Sequence, residues 1–391
     1  MVRDKVYREV KQHIEKARRE GVIKLDLSNM GLTEVPEVIA SLTKLQQLDL
    51  SGNELTELPE VIASLTKLQQ LDLSGNELTE LPEVIASLTQ LQSLNLSGNK
   101  LTELPEAIAS LAGLQRLNLH DNQLSQLPEA ITFLTGLQQL NLSYNALSQL
   151  PEAIANLTQL QSLNLSDNQL TELPEEIASL TGLQQLYLSG NQLTQLPEAI
   201  TSLIGLQLLD LSYNELAQLP EMIASLTQLQ SLDLNTNKLK TLPKAIANLS
   251  NLRFLYLAKN QLAVIPEVIS NLVLLEKLVV SDNPLIDFPN FLDKLSKLTE
   301  LFIGYIPLNN VPYCIRQLKK LDTLWAGGCN LKTLPDWLGE FSSLNSLYLQ
   351  KNYLSDLPTS LSQLPLKEKL DLSDNPLNPD LAAAYKPIRF S

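Results

Sequence analysis

The sequence predicts an α/β solenoid, a horseshoe with a parallel sheet on its concave side and short helical turns on its convex side. Three observations carry this. Prolines recur every 23 residues from Pro36 to Pro358, fifteen in register without an insertion. Asparagine keeps the same step from Asn53 to Asn283 and returns at Asn352 and Asn375. Inside each unit leucines alternate with polar residues. In "LQQLDLSGN", Leu48 and Leu50 alternate with Gln47, Asp49 and Ser51, the period of a half-buried strand.

The elements follow in chain order. Residues 2–20, "VRDKVYREVKQHIEKARRE", place Val6, Val10, Ile14 and Ala17 at helical spacing, and Gly21 offers a C-terminal cap. This predicts an amphipathic helix over 1–21 that covers the first repeat. From Val22 to 378 the chain reads as sixteen units of the form LxxLxLSxNxLxxLPExIxxLTx, the last truncated. Each adds one strand to the sheet. Its asparagine, turned inward after the strand, can bond backbone groups left unpaired by the turn. Its proline, such as Pro59 before Glu60, can open a helical turn where a missing N–H costs nothing. One unit cannot bury its own leucines, whereas stacked units share a continuous core. Residues 379–391 supply at most a short helix, Asp380 to Lys386, and read as a thin cap or the start of a linker.

Composition bounds the function. The 391 residues carry 29 basic and 43 acidic side chains, a net charge of −14, which argues against nucleic-acid and anionic-membrane partners. The start, "MVRDKVYREVKQ", lacks the apolar run of a signal peptide, and no apolar stretch reaches the roughly 20 residues of a membrane span. Two cysteines in a chain of this length do not make a disulfide framework. The expectation is a cytoplasmic protein. The tripeptides at Asn95, Asn141 and Asn156 that match glycosylation acceptors are by-products of the repeat.

The unit resembles the leucine-rich repeat, in its 23-residue intracellular form carrying "LPE.I". That resemblance implies an interaction scaffold. The stretch "GVIKLDLSNMGLTEVP" after the charged helix, and "NPLNPDLAAAY" near the end, further resemble the repeat segment of Roco proteins, in which the repeats precede a Ras-like GTPase domain. No GxxxxGK[ST] phosphate loop occurs in this chain. Three readings stay open: a repeat arm whose GTPase lies elsewhere in the polypeptide, a repeat-only relative, and an intracellular scaffold that engages a small GTPase or a phosphatase.

No catalytic, cofactor or metal site is read. His13 lies on the capping helix. His120 replaces a serine on the strand face beside Asp121 and one strand from Arg116, in the column of Ser97 and Ser143. A nucleophile needs a positioned base; nothing in the sequence orients these serines, so a local polar contact point is expected. Cys329 takes the inward asparagine position and Cys314 a convex turn, too far apart to pair. The nine glutamates that follow the prolines from Glu37 to Glu221 sit where exposed N–H groups favour a carboxylate.

The variable outward positions point to a partner. The residue between the last two strand leucines is Asp or Asn through most units, with Tyr187 the exception. It then runs Tyr256, Val279, Phe302, Trp325, Tyr348 before returning to Asp371. Strands about 4.8 Å apart would align these five into a column roughly 19 Å long. Phe254 flanks it, Tyr305 lies nearby, and Arg253, Lys259, Lys277 and Lys351 add positive charge. Gly304 and Gly327 replace the usual serine, which predicts open space beside Phe302 and Trp325. Ile306 and Cys329 break the asparagine series in the same units, so altered turns are expected. Aromatic residues beside Arg or Lys have the composition of binding hot spots. A protein partner on the concave face of repeats 11–15 is therefore expected, either separate or part of the same polypeptide. By contrast, residues 42–64 and 65–87 are identical and read as spacer.

Overall fold

The structure is a computed structural model that describes residues 2–286, 288–366 and 369–380. Helix α1 (Val2–Glu20) forms as its spacing predicts. Val10 and Ile14 are fully buried, Ala17 nearly so, and Val6 half-buried. They pack on the turn Glu37–Ser41 of the first repeat. Gly21 ends the helix at φ +66°. Its N–H donates to Arg18 O at 3.3 Å and that of Val22 to Ala17 O at 3.2 Å, which satisfies carbonyls that a helix end leaves open.

The chain then forms an α/β solenoid of two compact units, Met1–Leu193 with Pro197–Leu206, and Thr194–Leu196 with Gln207–Ser391. The first holds α1 and strands β1 (Lys24–Asp26), β2 (Gln47–Asp49), β3 (Gln70–Asp72), β4 (Ser93–Asn95), β5 (Arg116–Asn118), β6 (Gln139–Asn141), β7 (Ser162–Asn164) and β8 (Gln185–Tyr187). The second holds β9 (Leu208–Asp210), β10 (Ser231–Asp233), β11 (Phe254–Tyr256), β12 (Lys277–Val279), β13 (Glu300–Phe302), β14 (Thr323–Trp325), β15 (Ser346–Tyr348) and β16 (Lys369–Asp371). Within each unit consecutive strands pair in parallel, and every residue stands beside the one 23 positions on, Leu48 beside Leu71 and Tyr256 beside Val279. The 23-residue step therefore becomes a lateral neighbour relation.

Leucines from strand, turn and connection meet in one layer; Leu45, Leu50, Leu55 and Ile62 are 0% exposed. Each such side chain contributes about 1.5–3 kcal/mol relative to exposure. Opposite the strand, each of the first fifteen repeats closes with a five-residue 3-10 helix such as Glu60–Ser64. Pro59 stands one residue earlier than expected: it is the extended cap at φ −70°, ψ 148°, not the first helical residue. Its carbonyl accepts from Ile62 N at 3.1 Å. The following glutamate occupies the first helical position, exposed.

The inward asparagine does what its position requires. Asn99 Nδ2 donates to Leu73 O and Leu96 O, both at 3.0 Å, and its Oδ1 accepts from Leu78 N at 3.0 Å. One side chain thus ties its own strand end to the preceding repeat. The cap expected over 379–391 lies outside the described residues beyond Asp380.

Removing one such amide leaves buried backbone groups unpaired. Asn99→Ala is expected to cost about 1–3 kcal/mol, read as a lower urea midpoint. Hydrogen exchange should show the Leu78 amide losing protection ahead of distant repeats.

Candidate functional site

In the second unit Tyr256, Val279, Phe302, Trp325 and Tyr348 stand side by side in register on β11–β15, each half-buried. They face outward because the leucines between them are buried and a strand alternates its faces. Phe302 and Trp325 stack at 6.5 Å between ring centroids and 29° between planes, and Tyr305 tilts against Trp325 at 5.5 Å.

The space expected beside the glycines is filled. A Cβ on Gly304 would lie 1.8 Å from Trp325 Cζ3, and one on Gly327 2.8 Å from Gln350 Cδ. Gly304 is buried because the indole lies across it. The glycines do not open a cleft; one lets the tryptophan lie down on the sheet. Gly328, in the left-handed region at φ +67°, similarly leaves room for the Tyr305 ring, 2.6 Å from where its Cβ would be.

The positive charge expected around the column is largely paired within the chain. Arg253 makes a two-pronged bond to Glu276 at 2.9 and 2.8 Å while lying 5.2 Å over the Phe254 ring. Lys277 pairs with Glu300 at 2.7 Å, and its Nζ sits 4.8 Å from the Phe302 ring and 5.7 Å from the Tyr256 ring. Its ammonium thus spans the gap left by the small Val279 rung, so the column is two aromatic stretches bridged by a cation. Glu276, Glu300 and Lys369, which lies 5.1 Å over the Tyr348 ring, were absent from the sequence reading. The signal was present: Glu276 is 23 residues after Arg253, and Glu300 is 23 after Lys277. Lys259, Tyr305 and Lys351 lie past the strands on an exposed rim of left-handed residues at φ 52°, 55° and 57°, and of the three Tyr305 reaches back to the column through Trp325.

At the edge of the column Asp210 and Asp233 occupy adjacent rungs before Tyr256. Burial, opposed by the Asn235 N–H at 2.9 Å and reinforced by the Asp210 charge, raises the Asp233 carboxyl from its ordinary value of 3.8 to about 6.

The turns change where the asparagines are lost. Cys329 Sγ donates to Ile303 O at 3.2 Å, the bond that Asn283 makes to Leu257 O at 2.8 Å two repeats earlier. Burial raises the thiol to about 11. At Ile306, which has no polar group to offer, Leu308 N turns back to Ile306 O at 2.7 Å, and Asn309 takes φ 61°. No disulfide joins Cys314 and Cys329.

In the first unit Ser143 is oriented, contrary to expectation. Its Oγ lies 2.7 Å from Asn141 Oδ1 and 2.8 Å from His120 Nδ1. Asn141 Oδ1 already accepts Ser143 N at 3.1 Å, so the hydroxyl must donate to it and the imidazole must donate to the hydroxyl. The histidine is therefore a donor here, not a base aimed at the serine proton. Among the described residues no group of three His, Cys, Asp or Glu could hold a metal, and no helix is long and apolar enough to cross a membrane.

Two outcomes follow. Gly304→Ala should lift the Trp325 indole off the sheet, red-shifting its fluorescence in a Trp337→Phe background with little change in far-UV circular dichroism. Because the folded pKa of Asp233 lies above its ordinary value, its stabilising contribution is present below about 3.8 and lost as pH rises through about 6. Denaturant midpoints should show that decline in the parent and lack it in Asp233→Asn.

Comparison with known proteins agrees with this architecture. A family model described as a leucine-rich repeat region matches residues 23–97, 61–146, 83–169 and 198–306, and one described as leucine-rich repeats in two copies matches 158–201. No curated protein matches the chain. Among solved structures, a leucine-rich repeat protein of Leptospira interrogans is similar at 34% identity and TM-score 0.76, covering 95% of this chain and 96% of its own. The plant peptide hormone receptor RGFR1, solved in complex with RGF2, is similar at 26% identity and TM-score 0.61, covering 91% and 69%. An internalin of Listeria monocytogenes, InlF, is similar at 25% identity and TM-score 0.59, covering 92% of each chain. With family matches over well more than half its length, the chain belongs to the leucine-rich repeat family.

Proposed function

We propose that the strand face of repeats 11–15 is a docking site for a protein partner. Proteins of this family generally act in protein–protein interaction and are typically not enzymes. The observation that carries the location is the Phe302–Trp325 stack laid over Gly304. A contiguous set of outward rings on a rigid sheet needs an explanation that scattered apolar residues do not. Because Arg253 and Lys277 are already paired, the rings supply the binding energy and the charges set orientation. The reading keeps the chain in the cytoplasm, a setting compatible with the buried thiol of Cys329, and leaves the partner as a small GTPase or another domain of the same polypeptide.

The Roco-like reading belongs here too: the repeats, of the 23-residue LPxxI type, would be the regulatory arm of a GTPase encoded with them. The capping helix seated on the first repeat is compatible with it. Transcript sequence downstream of the Ser391 codon decides this. A phosphate loop supports the arm, and an immediate stop codon removes it.

Joint replacement of Phe302 and Trp325 by serine should cost about 2 kcal/mol or more of partner binding, roughly thirtyfold, with far-UV circular dichroism unchanged. Undiminished binding by that variant would remove the proposal.

A further inference from the structure

The first unit carries a second outward surface of different chemistry. From β3 to β8 the strand face is a trough of about 590 Å³ whose lining includes Asp72, Arg116, Asn118, Asn141, Asn164 and Tyr187. The key position is again the one between the strand leucines. It is Asp on β1–β3 and Asn on β4–β7. Either residue uses Oδ1 in the same way, accepting the N–H two residues on: Asp49 from Ser51 at 2.9 Å, Asn118 from His120 at 3.1 Å, Asn141 from Ser143 at 3.1 Å and Asn164 from Ser166 at 3.0 Å.

That bond fixes what the other arm of the fork presents. With Oδ1 held against the turn, an aspartate turns an oxygen outward and an asparagine turns an NH2 outward. The amide orientation is dictated by the backbone. At the boundary, Asn95 Nδ2 donates to Asp72 Oδ2 at 3.0 Å, so that carboxylate and that amide satisfy each other. The next three amides, Asn118, Asn141 and Asn164, stand in register on adjacent strands, and their NH2 groups have no hydrogen-bond partner among the described residues. They form a row of donors spaced about 4.8 Å apart.

One fixed charge accompanies the row. On the strands β4–β8 the only ionised outward side chain is Arg116. It is exposed and makes no ion pair among the described residues, in a protein of net charge −14. A guanidinium beside neutral donors suits one carboxylate flanked by carbonyl oxygens. Asp121 and Asp167 on the left-handed rim disfavour a polyanion.

We propose that this trough binds a peptide segment carrying a single acidic residue, its carboxylate on Arg116 and its carbonyl oxygens on the amides of Asn118, Asn141 and Asn164. The site is separate from the aromatic column and does not depend on it.

The test uses the full chain on an array of heptapeptides that each contain one glutamate, beside counterparts with glutamine or lysine there, in physiological salt. Glutamate peptides should be retained about tenfold more strongly than their glutamine counterparts. The triple variant Asn118→Asp, Asn141→Asp, Asn164→Asp and the single variant Arg116→Gln should each lose that retention. The Asp substitutions keep the fold-bearing Oδ1 bond, as Asp49 and Asp72 do at the same position, so circular dichroism should not change. The Phe302 and Trp325 serine variant should bind as the parent does. Failure to retain any glutamate peptide, equal retention of the glutamine or lysine series, or retention that survives the variants overturns the proposal. Binding to an oligosaccharide array that the same variants abolish overturns it in favour of a glycan.

Discussion

The structure depends on one inward amide in most repeats. An asparagine side chain just past the strand, such as Asn168, donates to a carbonyl 26 residues back and to one three residues back, and it accepts an N–H 21 residues back. Those backbone groups face the interior, where no water reaches them, so their satisfaction is a condition of closing the turn. Since the same three bonds recur from Asn53 to Asn283, the repeat length does not drift there. Leucine burial supplies most of the stabilisation, yet it tolerates local adjustment. The amide geometry does not.

Where the amide is replaced, the backbone records it. A thiol at Cys329 still donates to the carbonyl 26 residues earlier, and the neighbouring strands keep their register. An isoleucine at position 306 has no donor or acceptor, and the turn after it folds back on itself. Both exceptions fall in the repeats that carry Phe302 and Trp325. The asparagine rule is relaxed next to the surface that departs most from the repeat consensus.

A rigid 23-residue register turns distant sequence positions into neighbours. Arg253 finds Glu276, Lys277 finds Glu300, and Asn345 finds Asp322, each pair one repeat apart. The same rule sets Trp325 beside Phe302, from where its ring reaches over Gly304. It also sorts the strand face of each unit by chemistry: in the first, carboxylates on β1–β3 and then amides around Arg116; in the second, the carboxylates Asp210 and Asp233 and then rings bridged by the Lys277 ammonium. No single repeat encodes these arrays. They exist because equivalent positions are stacked at strand spacing on a sheet that holds them still.

The period, the strand alternation, the inward asparagines and the amphipathic helix before Gly21 were all legible in the sequence, because each is a local pattern repeated many times. The column Tyr256 to Tyr348 was legible for the same reason. Three things were not. Gly304 and Gly327 read as open space because a missing Cβ shows nothing of the ring or amide that fills it. Arg253 and Lys277 read as exposed positive charge because a pairing partner on the next strand is decided by side-chain reach. Ser143 read as unoriented because its hydrogen bonds to Asn141 and His120 run partly across strands. By itself, then, the sequence determined which positions face outward and which stack, since backbone periodicity follows from residue order. Only the tertiary structure decided which outward groups satisfy one another and which remain available, because that depends on distances of a few ångströms between side chains from different repeats.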